Sequence, residues 1–308
     1  MALVSVKELI EAGVHFGHRA SRWHPNMSPY IYAKHNQIHI IDLRETMKGI
    51  IRGAHFLNKV TEAGHEIVFV GTKPQAKDVV REQATRCNMH FVTNRWLGGT
   101  LTNFSTIRSR LRRLEELEAL ESDGSINLRK KKEISALRRE RRKIHRNLEG
   151  IRRMGRLPGA VVVVDIRRDH SAVKEAKVLG IPVVAIVDTD CNPRDVDLAI
   201  PGNDDAYRSI DAILRSISDS VIAGRNKLIE RQAAEEKKRL EEAEAERKRA
   251  ESRAKAATQQ AAKPAAPAAP AAPAAPAAPA APAKPAAPAS PAAPPSAPAA
   301  AATKEGEG

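Results

Sequence analysis

Glu66-Ile67-Val68-Phe69-Val70-Gly71 decides the fold. Between its glutamate and its glycine the run has no polar residue, so it has no face to give to water. A strand that is apolar on both faces belongs in a parallel sheet covered by helices on each side. The surrounding chain repeats the theme. Upstream, Ile38 to Leu43 reads as a strand, and Arg44 to Ala63 as a helix whose Met47, Ile50, Ile51, Ala54, Leu57 and Val60 recur at helical spacing before Gly64 stops it. Downstream the pattern predicts a helix from Gln75 to Cys87 and a strand from His90 to Thr93. After a long interruption come a strand Ala160 to Asp165, a helix near Ser171 to Leu179 and a strand Val183 to Val187. A short strand Asp197 to Ile200 and a helix Asp204 to Ala223 close the series. Strands alternating with helices imply an α/β fold with a doubly wound, mostly parallel sheet.

The interruption carries the charge. Residues 105–156 hold seventeen Lys or Arg against eight Asp or Glu, an excess of nine within a chain whose formal net charge is +14. A one-sided excess repels itself unless a polyanion lies against it, and nucleic acid is the commonest such partner because each neutralised phosphate releases a counterion. A charge run is also what any solvated face carries, but such faces usually mix both signs. Ile107, Leu111, Leu114, Leu117 and Leu120 form one apolar stripe, and Ile134, Leu137, Ile144, Leu148 and Ile151 a second, interrupted by Arg141. Ser122-Asp123-Gly124 between them is turn chemistry. The segment therefore reads as an inserted antiparallel helical hairpin that buries its stripes against each other and projects from the domain. Its second helix, from Lys130 to Arg153, would be about 36 Å long at the usual helical rise.

Composition excludes several classes. Two cysteines, Cys87 and Cys191, without metal-ligand or framework spacing, exclude a disulfide scaffold and a zinc ribbon and fit a reducing cytosol. No apolar run reaches the roughly 20 residues that span a bilayer, so no membrane contact is expected. The start, Met1 to Gly13, lacks the pattern of a secretory leader. Residues 228–262 have the composition of an exposed charged helix. Residues 263–308 form an Ala/Pro-rich tail in which Pro recurs at every third position from Pro264 to Pro294, predicting a disordered, polyproline-like spacer of about 95 Å.

Phosphate-binding loops of the usual glycine-rich kinds are absent. Gly71-Thr72-Lys73-Pro74 stands where phosphates often sit, after a strand and before a helix, but one glycine is too few to cradle a triphosphate, and a structural turn explains it. His15, His18, His24, His35 and His39 crowd the first forty residues. His15 and His18 have ligand-like spacing, yet no cysteine lies nearby, and no metal is expected. Arg19-Ala20-Ser21-Arg22-Trp23-His24 mixes cations with an aromatic ring, as contacts to phosphates and exposed bases require. Arg95-Trp96-Leu97-Gly98-Gly99-Thr100 repeats the Arg-Trp pairing at the hairpin root. Asp188, Asp190, Asp195, Asp197, Asp204 and Asp205 gather at the carboxyl edge of the sheet, where open α/β folds bind ligands. They fit a magnesium site, a set of caps and turns, or an acidic patch for a protein partner.

Longer motifs carry a resemblance. Leu9-Ile10-Glu11-Ala12-Gly13-Val14-His15-Phe16-Gly17-His18 with Arg22-Trp23-His24-Pro25-Asn26-Met27 resembles the N-terminal signature of the bacterial small-subunit ribosomal protein two family. Asn94-Arg95-Trp96-Leu97-Gly98-Gly99-Thr100-Leu101-Thr102-Asn103-Phe104 is similar to its central motif, Pro158-Gly159-Ala160 through Gly180-Ile181-Pro182 to its second signature, and Ile200-Pro201-Gly202-Asn203-Asp204-Asp205-Ala206 to its late motif. The likeness spans about residues 2–227 in order. It implies a Rossmann-like sheet with a protruding helical hairpin, binding to small-subunit ribosomal RNA between head and body, and contact with the large first ribosomal protein, which holds messenger RNA. It implies no catalytic role, no cofactor, and a cytoplasmic place in the ribosome. Residues 228–308 match nothing in it.

The expected organisation is therefore an α/β domain of residues 1–104 and 157–227, the basic hairpin 105–156, a helical extension 228–262 and a tail 263–308. The expected function is that of a structural constituent of the small ribosomal subunit among other ribosomal proteins, without homo-oligomers. The expected RNA contacts are Arg19, Arg22, Trp23, His24, Arg95 and Trp96, with Arg108, Arg110, Arg112, Lys130, Lys131, Lys132, Arg138, Arg139, Arg141 and Arg142 on the hairpin. Asp188, Asp204 and Asp205 are the expected protein-partner residues. The rival readings are a magnesium-dependent phosphate or nucleotide hydrolase using the aspartates, and an RNA-binding regulator acting off the ribosome.

Overall fold

The computed structural model describes residues 5–261; the expected tail lies outside them. The chain divides into two units, Met1–Arg247 and Lys248–Gly308, and every element but the end of the last helix belongs to the first. A short helix α1 (Val6–Glu11), with a capping box made by Ser5 and Glu8, leads into three strands, β1 (Phe16–Arg19), β2 (Ile31–His35) and β3 (Ile38–Ile41). Then follow α2 (Leu43–Glu62), β4 (Ile67–Val70), α3 (Lys77–Arg86) and β5 (His90–Val92). The hairpin helices are α4 (Phe104–Ser122) and α5 (Lys131–Leu148). The chain continues with β6 (Ala160–Val163), α6 (His170–Val178), β7 (Val183–Val187), β8 (Leu198–Pro201) and α7 (Tyr207–Ala261).

Five strands form the main sheet in the order β5-β4-β6-β7-β8, all parallel. The order reverses between β4 and β6, so the topological switch point lies at their carboxyl ends. Successive residues of each strand alternate between two buried clusters. Ile67, Phe69, Val162 and Ile186 face α2, α3 and α7 through Leu57, Val80 and Ile217. Val68, Val70, Val163 and Val187 face α6 and the hairpin root through Val173, Ile107 and Leu111. Both faces are dry, as the opening run of residues 66–71 requires, and this is a doubly wound Rossmann-like sheet.

Three expectations change. The strand at residue 38 exists, but it pairs antiparallel with β1 and β2 in a separate small sheet rather than joining the parallel one. It is only partly buried: Ile41 is covered, but Ile38 stays 37% exposed. The second hairpin helix is shorter than expected, 18 residues, or about 27 Å, before a 3-10 turn at Glu149–Ile151. Finally, α7 does not stop near Ala223 but runs on to Ala261. No helix among the described residues is long and apolar enough to cross a membrane.

Candidate nucleic-acid interface and the charged cluster at the sheet edge

The hairpin is held together by leucines. Leu114 and Leu117 of α4 and Ile126 of the connecting turn are buried, yet they belong to neither sheet cluster. They form a core internal to the hairpin, while Ile107 and Leu111 fasten its root to the sheet. Arg141, which breaks the second stripe, is answered across the hairpin by Glu121, with Nε 3.0 Å from the carboxylate; Arg138 approaches the same glutamate at 3.7 Å. Arg108 is half-buried and donates to the Met154 carbonyl at 3.0 Å, closing the root. These three expected RNA contacts are therefore used, at least in part, inside the hairpin. By contrast Arg110, Arg112, Lys130, Lys131, Lys132, Arg139 and Arg142 are exposed, and none has a carboxylate within 4 Å among the described residues.

The N-terminal segment is seated on the loop that follows β7. Gly17 lies so close to Thr189 that a Cβ would come within 2.6 Å of its methyl. His18 donates its backbone N–H to Thr189 Oγ1, and His24 its own to the Thr189 carbonyl, both at 2.8 Å. The effect is to leave Arg19 and Arg22 exposed and Trp23 39% exposed, its ring tilted against His39 at 5.4 Å. His24 turns inward, its Nδ1 accepting from the Asn26 N–H as a cap. Arg95 is exposed.

Trp96 is a correction. It is 7% exposed, and its indole N–H donates to Glu175 of α6 at 3.0 Å. Glu175 also accepts from the backbone N–H groups of Gly99, Leu101 and Thr102. Burial alone would raise this carboxyl, but the donors hold it below the ordinary range. No ring face of Trp96 remains for a base; the residue anchors the hairpin root. Nothing in the sequence marked Glu175 as the anchor.

Asp188 and Asp204 are corrections too. They are 1% and 2% exposed, so neither presents a carboxylate to a protein; Asp205 alone of the three stays at the surface. The switch-point crevice is filled by the chain's own charges. Lys73 Nζ lies 2.8 Å from Asp204, 2.6 Å from Asp205 and 3.8 Å from Asp165. His18 lies 3.0 Å from Asp188 and 3.5 Å from Asp205. Beside them the Thr72 hydroxyl and N–H both donate to Asp169. The Asp188 hydrogen bond raises the His18 imidazole to about 9. Burial, with Asp188 and Asp165 nearby, raises the Asp204 carboxyl to about 8 against the pull of Lys73. Burial would lower the Lys73 ammonium, but Asp204 and Asp205 outweigh it and hold it above its ordinary range. His18, Asp188 and Asp204 could each offer one atom to a metal within 4.8 Å of the others. Lys73, however, already lies against Asp204 and Asp205, and His18 against Asp188, so the fold's own cationic side chains stand among these aspartates. The turn reading of residues 71–74 accounts for the loop, and Lys73 adds a role that the spacing did not reveal.

The ribosomal protein S2 family profile matches residues 9–224. The chain belongs to the ribosomal protein S2 family. It is similar to the small ribosomal subunit protein uS2 of Rhodopirellula baltica, 57% identical over 225 residues that cover 73% of this chain and 86% of the relative. The family is one of structural ribosomal proteins, not enzymes, and this overturns the hydrolase reading of the aspartates.

Proposed function

We propose that this chain is a structural constituent of the small subunit of the cytoplasmic ribosome, serves translation, and binds the subunit's ribosomal RNA mainly through phosphates. One observation carries the reading: the exposed, unpaired cations of α4, α5 and the loop between them, on a hairpin with no aromatic residue beyond its root. Each such cation placed on a phosphate releases a counterion. Residues 1–104 and 157–227 serve as the rigid mount and 105–156 as the RNA arm. The Arg19 and Arg22 segment is a second contact. Met27 beside it shares one buried cluster with Ile107 and Leu111 at the hairpin root, so both contacts are fixed to one face of the sheet. The partner reading follows from the resemblance: the chain helps to hold the large first ribosomal protein, with Asp205 the one acidic-edge residue of the three available to it.

The test is co-sedimentation of the full chain with small subunits that lack it, across a salt series. Lys131→Glu, Lys132→Glu, Arg139→Glu and Arg142→Glu together should weaken incorporation and flatten its salt dependence. A variant that folds and incorporates normally at moderate salt would overturn the reading.

A further inference from the structure

The carboxyl end of the sheet is closed by its own charges, but the amino end is open. A cleft of about 630 Å³ lies there between the start of edge strand β5, the last turns of α3 and the root of the hairpin. Its two glutamates each lie beside a histidine: Glu66 faces His90 at 3.1 Å, and Glu149 faces His145 at 3.7 Å. Arg152 is taken by Glu118 at 2.8 Å. Arg81 and Arg153 remain, both exposed and with no carboxylate within 4 Å among the described residues. The lining holds three arginines against two glutamates, a small cationic excess, and the cleft is large enough for a nucleotide unit.

Its position on the hairpin gives it a ligand. Arg139, Arg142 and Arg146 are exposed and follow one another at three- and four-residue steps along α5, which places them in a row on one face. The helix that carries this row ends at the cleft, where Glu149 and, just beyond the 3-10 turn, Arg153 form part of the lining. The root is held there firmly, because a Cβ on Gly150 would collide with the Phe91 carbonyl and ring. A cation row that ends in a cationic recess fits a polyanion strand, not an isolated anion.

We propose that the cleft between β5, α3 and the hairpin root is the end of the hairpin's RNA track and receives the phosphodiester backbone of an unpaired RNA nucleotide on Arg81 and Arg153. This rests on the RNA reading of the hairpin. The experiment therefore places a benzophenone side chain in the full chain at either of two exposed positions, Thr85 in the cleft wall or Lys132 on the hairpin, and irradiates reconstituted small subunits. RNA is the expected cross-linked product at both. RNA at Lys132 with protein or nothing at Thr85 overturns the cleft alone; no RNA at either overturns both readings. As a second readout, Arg81→Gln with Arg153→Gln should lower the slope of log K against log salt by roughly 1.4, two single-strand phosphates, with an unchanged melting curve. An unchanged slope overturns the assignment.

Discussion

Glu175 accepts hydrogen bonds from four residues. It receives the Trp96 indole N–H and the backbone N–H groups of Gly99, Leu101 and Thr102, and so fixes the bend from which the hairpin starts. Removing it leaves partly buried donors without partners, so Glu175→Ala should cost about 3 kcal/mol in urea unfolding, while Glu175→Gln, which keeps one acceptor oxygen, should cost less. Equal stability of Glu175→Ala and the parent chain would refute the anchor. His18 permits a second residue-scale test. Its folded value is raised to about 9 from an ordinary value of 6.5. The folded state then binds the proton more tightly than the unfolded chain, so the stabilisation is complete below pH 6.5 and is lost as pH rises through 9. Asp204, raised to about 8, acts in the same sense. Urea midpoints should fall from pH 6.5 to pH 9, by on the order of 2 kcal/mol in free energy, and His18→Gln should flatten that fall. A midpoint that rises over this range would contradict the pairing. None of this could be read in the sequence, because Lys73 and Asp204 lie 131 positions apart. The spacing of residues shows which carboxylates share a sheet edge, not which cation reaches them.

At the scale of elements the sequence was more legible, and the reason is periodicity. A run such as Ile67–Val70 is buried on both faces, so its neighbours must be helix-covered parallel strands, and they are. The strand at Ile38–Ile41 was legible as a strand but not as a member of another sheet, since alternation does not name a strand's partner. The hairpin was legible from its two leucine-rich stripes, and its internal core gives it a separate stability. Leu114 is fully buried outside both sheet clusters. Leu114→Ala should therefore cost about 3 kcal/mol, transfer and cavity together, and the loss should be local. Amide exchange should speed up about 100-fold in α4 and α5, with β4 and β6 unchanged. Equal acceleration in β6 would mean that the hairpin and sheet unfold as one.

In the whole molecule, charge and burial divide the labour. The sheet supplies the dry core. The hairpin and N-terminal segment supply exposed cations, and the long α7 contributes to both ends of this division. Its first part is core: Ile210, Ile213, Leu214, Ile217 and Val221 are fully buried against the sheet. Further along, Leu228 is half-buried and lies 3.6 Å from where a Cβ on Gly64 would stand, and Lys227 reaches Glu62 at 3.8 Å. From Arg231 to Glu246 every side chain is exposed, and the contacts are i,i+4 ion pairs such as Arg231–Glu235 and Lys238–Glu242. Such pairs contribute only about 0.3–0.5 kcal/mol each when exposed. They also balance in sign, so this stretch lacks the one-sided cationic excess of the hairpin. A chain ending at Glu230 should then keep the core contacts of α7, and of the side chains described as far as Glu246 it loses only exposed ones. Its thermal midpoint should stay within about 3 °C of the full chain, because no mechanism that produces a large loss, whether cavity, unpaired buried charge or broken network, is touched. The salt slope of its incorporation into small subunits should match that of the full chain. A drop of ten degrees would mean that residues beyond Glu230 cover part of the core. A shallower slope would mean that they carry phosphate contacts, and the RNA surface would then extend beyond the hairpin and the N-terminal segment.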